Sequence, residues 1–358
     1  MKRFLSSCDR LPRVVFMVGV AALLGSLAVY AHAAPVIDWV TVGDPGNTAD
    51  TTGSPNPAGA VADSFQIMKY EWTNSLYVEF LNAIDPQGTN PNSVYNTSMG
   101  SNERAGITNT GTTDGSRYAF KTNMGDKPVN YVSWFDAARV SNWLHNGGLN
   151  YGTTNSSGTA PQNTGAYTLG TATLGTAPAV NLGAQFYIPT EDQWYKAAYY
   201  KGGSTNAGYW DYATQSNTAP TAVTAGWRGI GSSGSTGNFA NFNRAADWHS
   251  QDGNVTTVGT NGGASAYGAF DMSGNVFEWN DLTGAAGSSR VLRGGDWDND
   301  VSYLSSSLRS SYAPSIGGSN VGFRLASPVA VPEPSTWVMG LAGIACGGWQ
   351  MWRRRRAR

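Results

Sequence analysis

Thiols and imidazoles are scarce in this chain. Its 358 residues include 2 cysteines and 3 histidines. Cys8 and Cys346 lie near the two ends, so residues 34–331 contain no thiol for a disulfide, a thiolate metal site or a cysteine nucleophile. His145 and His249 are the histidines of that span, and two isolated imidazoles form neither a zinc site nor a recognisable catalytic triad.

Charge is also low. Charged residues make up 13% of the chain, against about 25% in ordinary globular proteins. Residues 34–331 hold 14 Lys and Arg against 22 Asp and Glu, a net charge of −8. Such a domain lacks the basic footprint of a nucleic-acid-binding protein, so we expect no nucleic-acid partner.

Glycine and tryptophan are abundant instead, with 45 and 13 residues. Together with many Asn, Ser and Thr residues, they are typical of long ordered loops held by aromatic anchors. Two stretches, 146–181 and 202–237, are of particularly low complexity. The sequence alone leaves two interpretations of them open, ordered loops or insertions on the one hand and flexible disorder on the other.

The first 33 residues have the pattern of a secretory signal. Basic residues precede an apolar run at 14–29, and small residues flank position 32. We therefore expect export and cleavage by signal peptidase after Ala33. An uncleaved N-terminal anchor is the alternative, although the run is short for a membrane-spanning helix.

The C-terminal segment 331–358 has three parts. Pro332, Glu333 and Pro334 precede an apolar run, which four consecutive arginines at 353–356 follow. This tail resembles the PEP-CTERM sorting signal. The resemblance implies transient anchoring in the inner membrane, cleavage by an exosortase-type protease, and release to the surface or extracellular matrix of a bacterium that makes exopolysaccharide. An ordinary C-terminal membrane anchor is the alternative.

Between these ends the sequence predicts an α+β domain. Residues 65–70 alternate as a strand, and Thr73 can cap a helix after it. Residues 128–132 predict a second strand, and Ser133 begins a second helix with an acidic residue three positions on. Thr190 caps a third helix. Downstream of that helix the pattern favours short strands and turns.

Six motifs in a fixed order carry a family resemblance across residues 61–327. They are KYEWTN at 69–74, PVNYVSW at 128–134, IPTEDQW at 188–194, YGAFDMSGNVFEW at 267–279, RVLRGGDW at 290–297 and NVGFRLA at 320–326. The set resembles the formylglycine-generating enzyme (sulfatase-modifying factor) family. The resemblance implies a C-type-lectin-like fold with little regular secondary structure, with residues 34–60 as a lead-in.

The chain departs from these enzymes where they perform their chemistry. The resemblance implies oxidation of a substrate cysteine with the help of a copper ion. In the enzymes, a pair of cysteines shortly after Arg-Gly-Gly binds this ion. Here Asp298, Asn299 and residues 301–304 occupy that region, and Asp296 replaces the usual serine. Copper(I) requires soft thiolate ligands, and this region has none. We therefore expect no bound copper and no catalytic residue. A fold can be kept in a family when the reaction is lost.

The resemblance also implies two calcium sites built from oxygen ligands. The first set is Asn241, Phe242, Asp252 and Asn254, and the second is Asp271, Gly274, Val276 and Glu278. In the alternative interpretation, Asp271 and Glu278 accept hydrogen bonds from backbone amides in turns and bind no ion.

The resemblance also implies that a ligand is presented on the surface that follows Arg-Gly-Gly, which is 296–320 here. The candidate ligand-binding residues are Asp296, Trp297, Asp298, Asn299, Tyr303 and Tyr312. Tyr, Ser and Asn form adaptable recognition surfaces, and aromatic rings can stack on sugars. We therefore expect a calcium-stabilised binding module, with exopolysaccharide as a ligand. An enzyme with an unrecognised centre, a structural matrix protein and a merely solvated loop are the alternatives.

Overall fold

The computed structural model describes residues 35–112, 115–156 and 158–328. The predicted signal with its cleavage position at Ala33 and the predicted tail with Pro332, Glu333 and Pro334 lie outside these ranges. Within them, no helix is both long and apolar enough to cross a bilayer.

The regular elements are short, and long loops connect them. The described ranges contain the helices α1 Asn74–Ile84, α2 Ser98–Ser101, α3 Trp134–His145 and α4 Glu191–Tyr199. The strands are β1 Trp39–Val42, β2 Phe65–Met68, β3 Ile107–Asn109, β4 Tyr118–Phe120, β5 Thr221–Ala222, β6 Phe239–Ala240, β7 Phe277–Asn280, β8 Arg290–Arg293, β9 Ser310–Tyr312, β10 Val321–Gly322 and β11 Ala326–Ser327. The fold class is therefore α+β and loop-rich, as predicted.

Two sheets organise the domain. The first has the order β1-β2-β11 and is antiparallel, and the second has the order β10-β7-β8-β9. Because β1 pairs with β2 along its whole length, residues 34–60 supply an edge strand of the folded unit. In the second sheet β10 runs parallel to β7, which places the NVGFRLA motif beside the YGAFDMSGNVFEW motif.

Local capping residues set the starts of the three predicted helices. The Thr73 side chain accepts a hydrogen bond from Leu76 N at 3.4 Å. Ser133 and Asp136 form a reciprocal capping box, and Thr190 forms a second one with the residue three positions on. Each box satisfies two backbone amides that the helix leaves unpaired.

The predicted strand at 128–132 was wrong. Pro128 forms an isolated bridge with Thr73, and Tyr131 has a left-handed backbone with φ of 59°. A residue in that region breaks the pleat of a strand. The segment is instead an extended connection, which the hydrogen bond from Tyr131 N to Gly318 O holds at 2.8 Å.

Buried tryptophans form the centre of the domain. Trp72, Trp134, Trp143 and Trp279 belong to the largest hydrophobic cluster, where α1 and α3 pack against β7, β8 and β10. The low-complexity stretch 146–181, described except for Ser157, joins this cluster through Tyr167, whose backbone N donates to Asn142 Oδ1 at 2.7 Å. The described part of this stretch therefore packs on the core as an insertion.

Candidate functional site

The Arg-Gly-Gly motif ends strand β8 in a close-packed turn. Gly294 and Gly295 have φ of 95° and 72°. A Cβ atom on Gly295 would lie 2.7 Å from Leu304 Cδ1 and 3.0 Å from the Tyr303 carbonyl carbon. Glycine is required here for both its backbone freedom and its lack of a side chain. The turn directs the chain into the segment that was predicted to face a ligand.

Asp296 organises this segment from inside. Its side chain is buried; Oδ1 accepts hydrogen bonds from Asp298 N at 2.7 Å and Asn299 N at 3.1 Å, and Oδ2 accepts one from Asn320 Nδ2 at 2.8 Å. Burial raises the pKa of Asp296 to about 6, although these hydrogen bonds favour the charged form. The carboxylate therefore holds the turn together, which differs from the predicted contact with a ligand.

Trp297 also points inward. Its ring is 4% exposed, packs in a small cluster with Trp248 and Val276, and lies 4.7 Å from the Arg104 guanidinium. The indole Nε1 donates to Ser319 O at 3.2 Å. A buried ring is not free to stack on a sugar, so the structure does not support the predicted ligand contact of Trp297.

Asp298 and Asn299 lie on an outer rim formed by two loops. The Asp298 carboxylate forms an ion pair with the Arg244 guanidinium, and both side chains are partly exposed. Asn299 O accepts a hydrogen bond from Asn243 N at 2.7 Å, and Arg244 N donates to the carbonyl of residue 297 at 2.8 Å. The structure thus brings these two predicted residues together, beside a basic residue that the sequence analysis did not include.

The two predicted tyrosines have different surroundings. Tyr303 is half-buried, and its ring packs edge-on against Phe277 with centroids 6.2 Å apart. Tyr312 is 45% exposed at the end of β9, opposite Arg290 in the ladder. Of the predicted aromatic groups, Tyr312 therefore presents the most ring surface to a ligand.

The second predicted calcium set does not fit a cation in this arrangement. Both Glu278 oxygens accept hydrogen bonds of 2.6 Å from Arg324, and Trp194 Nε1 donates a third at 2.8 Å. Asp271 accepts hydrogen bonds from Gly259 N and Asn261 Nδ2. Gly274 and Val276 lie between these carboxylates in the chain, and a guanidinium already supplies the positive charge there.

Glu71 and Arg324 are the members of this buried centre that sequence reasoning missed. Glu71 accepts hydrogen bonds from Asn275 Nδ2 at 2.7 Å and Val276 N at 3.2 Å. Burial, then the nearby charge of Asp271, raises the pKa of Glu71 well above its ordinary value. The signal was available for Arg324, because it is the one charged residue of the mostly apolar motif NVGFRLA, and a charge in such a place is expected to have a buried partner.

The first predicted calcium set fits in part. Asn241 and Asn254 are buried in contact, with Asn241 Nδ2 donating to Asn254 O at 2.9 Å. Asn241 Oδ1 is buried without a hydrogen-bond partner, as a ligand to a hard cation would be. Phe242 follows directly and is buried. Asp252 does not join them, since its side chain is 77% exposed and lies 3.8 Å from Arg244.

A family model for the Sulfatase-modifying factor enzyme 1-like domain matches residues 35–329. The chain belongs to this family. The match includes residues 34–60 almost entirely, in agreement with the pairing of β1 in the first sheet. No curated protein gives a significant match to the chain.

Solved structures of family-like proteins show low similarity. Treponema denticola variable protein 1 is 19% identical, with a TM-score of 0.46 over 81% of this chain and 95% of its own. CarF is 21% identical, with a TM-score of 0.45 over 82% and 99%. PvdO from Pseudomonas aeruginosa is 18% identical, with a TM-score of 0.38 over 82% and 92%. At these values the similarities add nothing to the family assignment.

The chain is thus a member of the sulfatase-modifying factor family with carboxylates around its Arg-Gly-Gly turn and no thiol in residues 34–331. Within the described ranges, no three His, Cys, Asp or Glu side chains are grouped to bind a metal. The arrangement instead contains a rim of partly exposed charged and amide groups, Asp298, Asn299 and Arg244, on two loops that are hydrogen-bonded to each other.

Proposed function

We propose that this chain is an exported binding module that keeps the family fold, in a C-type-lectin-like arrangement, without the family's oxidase chemistry. The observation that carries the proposal is the environment of Asp296. This carboxylate follows Arg-Gly-Gly and accepts hydrogen bonds from three N–H donors, two in its own turn and the third on the Asn320 side chain. A group held in this way supports its neighbours and takes no part in a redox reaction.

The proposed ligand surface consists of the exposed Tyr312 and the partly exposed Asp298, Asn299 and Tyr303. Tyrosine and asparagine combine ring area with adaptable hydrogen bonding. Polysaccharide of the cell surface or biofilm matrix is the proposed ligand, because hydroxyl-rich rings match these groups. The hydrogen-bonded backbone of the turn favours binding, because little conformational entropy is lost when a ligand binds to it.

Calcium binding at the first predicted set is part of this proposal. Asn241 Oδ1, a buried acceptor without a partner, supports it. The carbonyl oxygens of Phe242 and Asn254 would complete the set, and a hard cation bound there would stabilise the folded chain. Export through the 1–33 signal and sorting through the 331–358 tail, by signal peptidase and an exosortase-type protease, complete the proposed function.

Two assays test the binding module against an enzyme. Incubation with copper and a cysteine-containing sulfatase peptide should give no formylglycine above the copper-only background. Binding to polysaccharide of the native host should weaken in Tyr312→Ala by about 2 kcal/mol if the ring is a hot spot. Trp227→Ala removes a ring that is 73% exposed elsewhere and is the matched control.

The results separate the alternatives. Peptide turnover would overturn the non-enzyme proposal. Binding that Tyr312→Ala and Asn299→Ala leave unchanged would refute the proposed surface. A lack of binding to any host polysaccharide would favour a structural matrix protein.

A further inference from the structure

A second concave surface lies in the 146–181 insertion. Residues within 84–92, 151–154 and 160–171 line a cleft of about 500 Å³, which is within the size range of small-ligand sites. It shares no lining residue with the surface proposed above. None of the described residues that line it carries a charged side chain, whereas amide and hydroxyl groups are frequent among them.

Two buried charged residues hold the walls of this cleft. On one side, Asp85 is buried and accepts hydrogen bonds from Thr89 N and Asn90 N, both at 2.8 Å. On the other side, the buried Arg139 donates to Asn163 Oδ1 at 2.7 Å and to Ala172 O at 2.7 Å. Both charged side chains form their hydrogen bonds with groups of the walls themselves. The walls are therefore held in place, and no charged side chain lines the cleft.

A direct hydrogen bond ties the walls to each other. Asn92 Nδ2 donates to Asn163 Oδ1 at 3.0 Å, which leaves Asn92 Oδ1 and Asn163 Nδ2 available at the surface of the cleft. Tyr151 lies at the same cleft with its side chain 53% exposed, and its backbone N donates to Ala83 O of α1 at 2.6 Å. The anchored backbone keeps this ring beside the cleft, where its face can stack on a ligand.

Gln162 is the observation that points to a ligand. It is 6% exposed and lines the cleft. Its backbone O accepts a hydrogen bond from Asn142 Nδ2 at 3.1 Å. Among the described residues, however, its side-chain amide has no hydrogen-bond partner. The amide is not one of the fully buried unpaired polar atoms and therefore reaches the surface of the cleft. There it is suited to a ligand that both donates and accepts hydrogen bonds.

We propose that this cleft binds a neutral sugar unit of a glycan. Sugar hydroxyls donate and accept hydrogen bonds, as the amides of Gln162, Asn92 and Asn163 require, and the apolar face of a sugar ring can stack on Tyr151. Uronic acids, sulfates and phosphates are disfavoured because no lining side chain supplies a positive charge. The chain thereby has a glycan site independent of the Arg-Gly-Gly surface.

The test uses protein recovered from cells that express the full chain. Its dissociation constants for neutral gluco-, galacto- and manno-oligosaccharides are measured, together with those for oligosaccharides of the same length that contain uronate. We expect binding of at least one neutral series and weaker binding of its uronate counterpart. Tyr151→Ala should weaken binding at least ten-fold, and Tyr151→Phe, which keeps the ring, less than three-fold.

Gln162→Leu distinguishes a ligand role from a structural one. It removes an amide that is unpaired in the fold, so the melting temperature should stay the same or rise, while glycan binding falls at least ten-fold. Trp227→Ala, which removes an exposed ring outside both proposed surfaces, should leave this binding unchanged. The inference is overturned if no neutral series binds, if Tyr151→Ala and Gln162→Leu both bind as the parent does, or if Tyr312→Ala alone abolishes binding.

Discussion

Arg324 and Glu278 form a buried ion pair with two hydrogen bonds of 2.6 Å, and both side chains are shielded from solvent. The remaining Arg324 donors reach Met68 O and Phe270 O. The pair therefore links β7, β2 and the motif that contains Asp271. Glu71 and Asp271 bring further negative charge close to the guanidinium.

Replacing Arg324 with Met should destabilise the fold strongly. The change leaves Glu278 buried without its counter-ion, and a broken buried pair costs about 3–5 kcal/mol. Chemical denaturation of the parent and Arg324→Met measures the free energy of unfolding. Arg228→Met, at an exposed arginine stacked on Trp227, is the control and should stay within about 0.5 kcal/mol. A small effect of Arg324→Met would show that the carboxylates are neutral without it.

The helix starts could be predicted from the sequence because capping is local. Thr73, Ser133 and Thr190 each accept a hydrogen bond from the amide three residues on. The ordered motifs predicted membership of the sulfatase-modifying factor family, which the match over residues 35–329 confirms. Local chemistry and ordered motifs thus predicted much of the fold.

The rest depended on contacts between distant residues. The left-handed backbone of Tyr131 meets Gly318, far along the chain, so alternation alone predicted a strand there. The direction of Trp297 is decided by Arg104 and Ser319, which no local pattern reveals. The partner of Glu278 was likewise hidden in the sequence, although both residues belong to recognised motifs.

Gly295→Ala should cost more stability than the same change at Gly147. Both glycines have positive φ, 72° and 77°, so each variant pays about 1–2 kcal/mol of backbone strain. A Cβ on Gly295 would in addition press on Leu304 and Tyr303, whereas nothing lies within 4 Å at Gly147. Thermal unfolding of both variants compares them. Equal losses would mean that the turn after β8 can shift to admit a methyl group.

Asp136 should make stability fall as the pH rises. Burial raises its pKa to about 6, despite hydrogen bonds with Ser133 and the nearby Arg139 charge. The folded state therefore holds this proton more tightly than the unfolded state, and the stabilisation is lost between about pH 4 and pH 6, at most about 3 kcal/mol. The free energy of unfolding, measured with urea at pH 4.5 and pH 7, should change less between the two pH values in Asp136→Asn than in the parent.

Asp300 provides a control of opposite sign. Hydrogen bonds from Ser302 lower the pKa of this exposed carboxyl. Its contribution is present above the unfolded pKa and is lost as the pH falls. The stability of Asp300→Asn should therefore fall less than that of the parent as the pH is lowered. If Asp136→Asn and the parent had parallel pH profiles, Asp136 would titrate alike in both states.

The exported form should lack the C-terminal tail. We expect cleavage near Pro332–Pro334, because that motif precedes a short apolar run and an arginine stop. Mass spectrometry of protein recovered from the native host gives the terminal residue. A mature form that ends at Arg358 would contradict sorting by an exosortase-type protease, and replacement of Pro332 and Pro334 by Ala should cause the tail to be retained.

Calcium should raise the melting temperature of the parent protein, and chelation should lower it. Linkage gives about 2.7 kcal/mol when free ion is at 100 times its dissociation constant. The quantity to compare is the shift between calcium and chelator within each variant, which cancels any loss of stability that is independent of the ion. Asn241→Ala should abolish that shift, because it removes the unpartnered Oδ1. Asp271→Asn should keep it, since Gly259 and Asn261 already engage that carboxylate. The reverse result would move the ion to the second set, and identical melting curves of the parent in calcium and chelator would remove calcium from the proposed function.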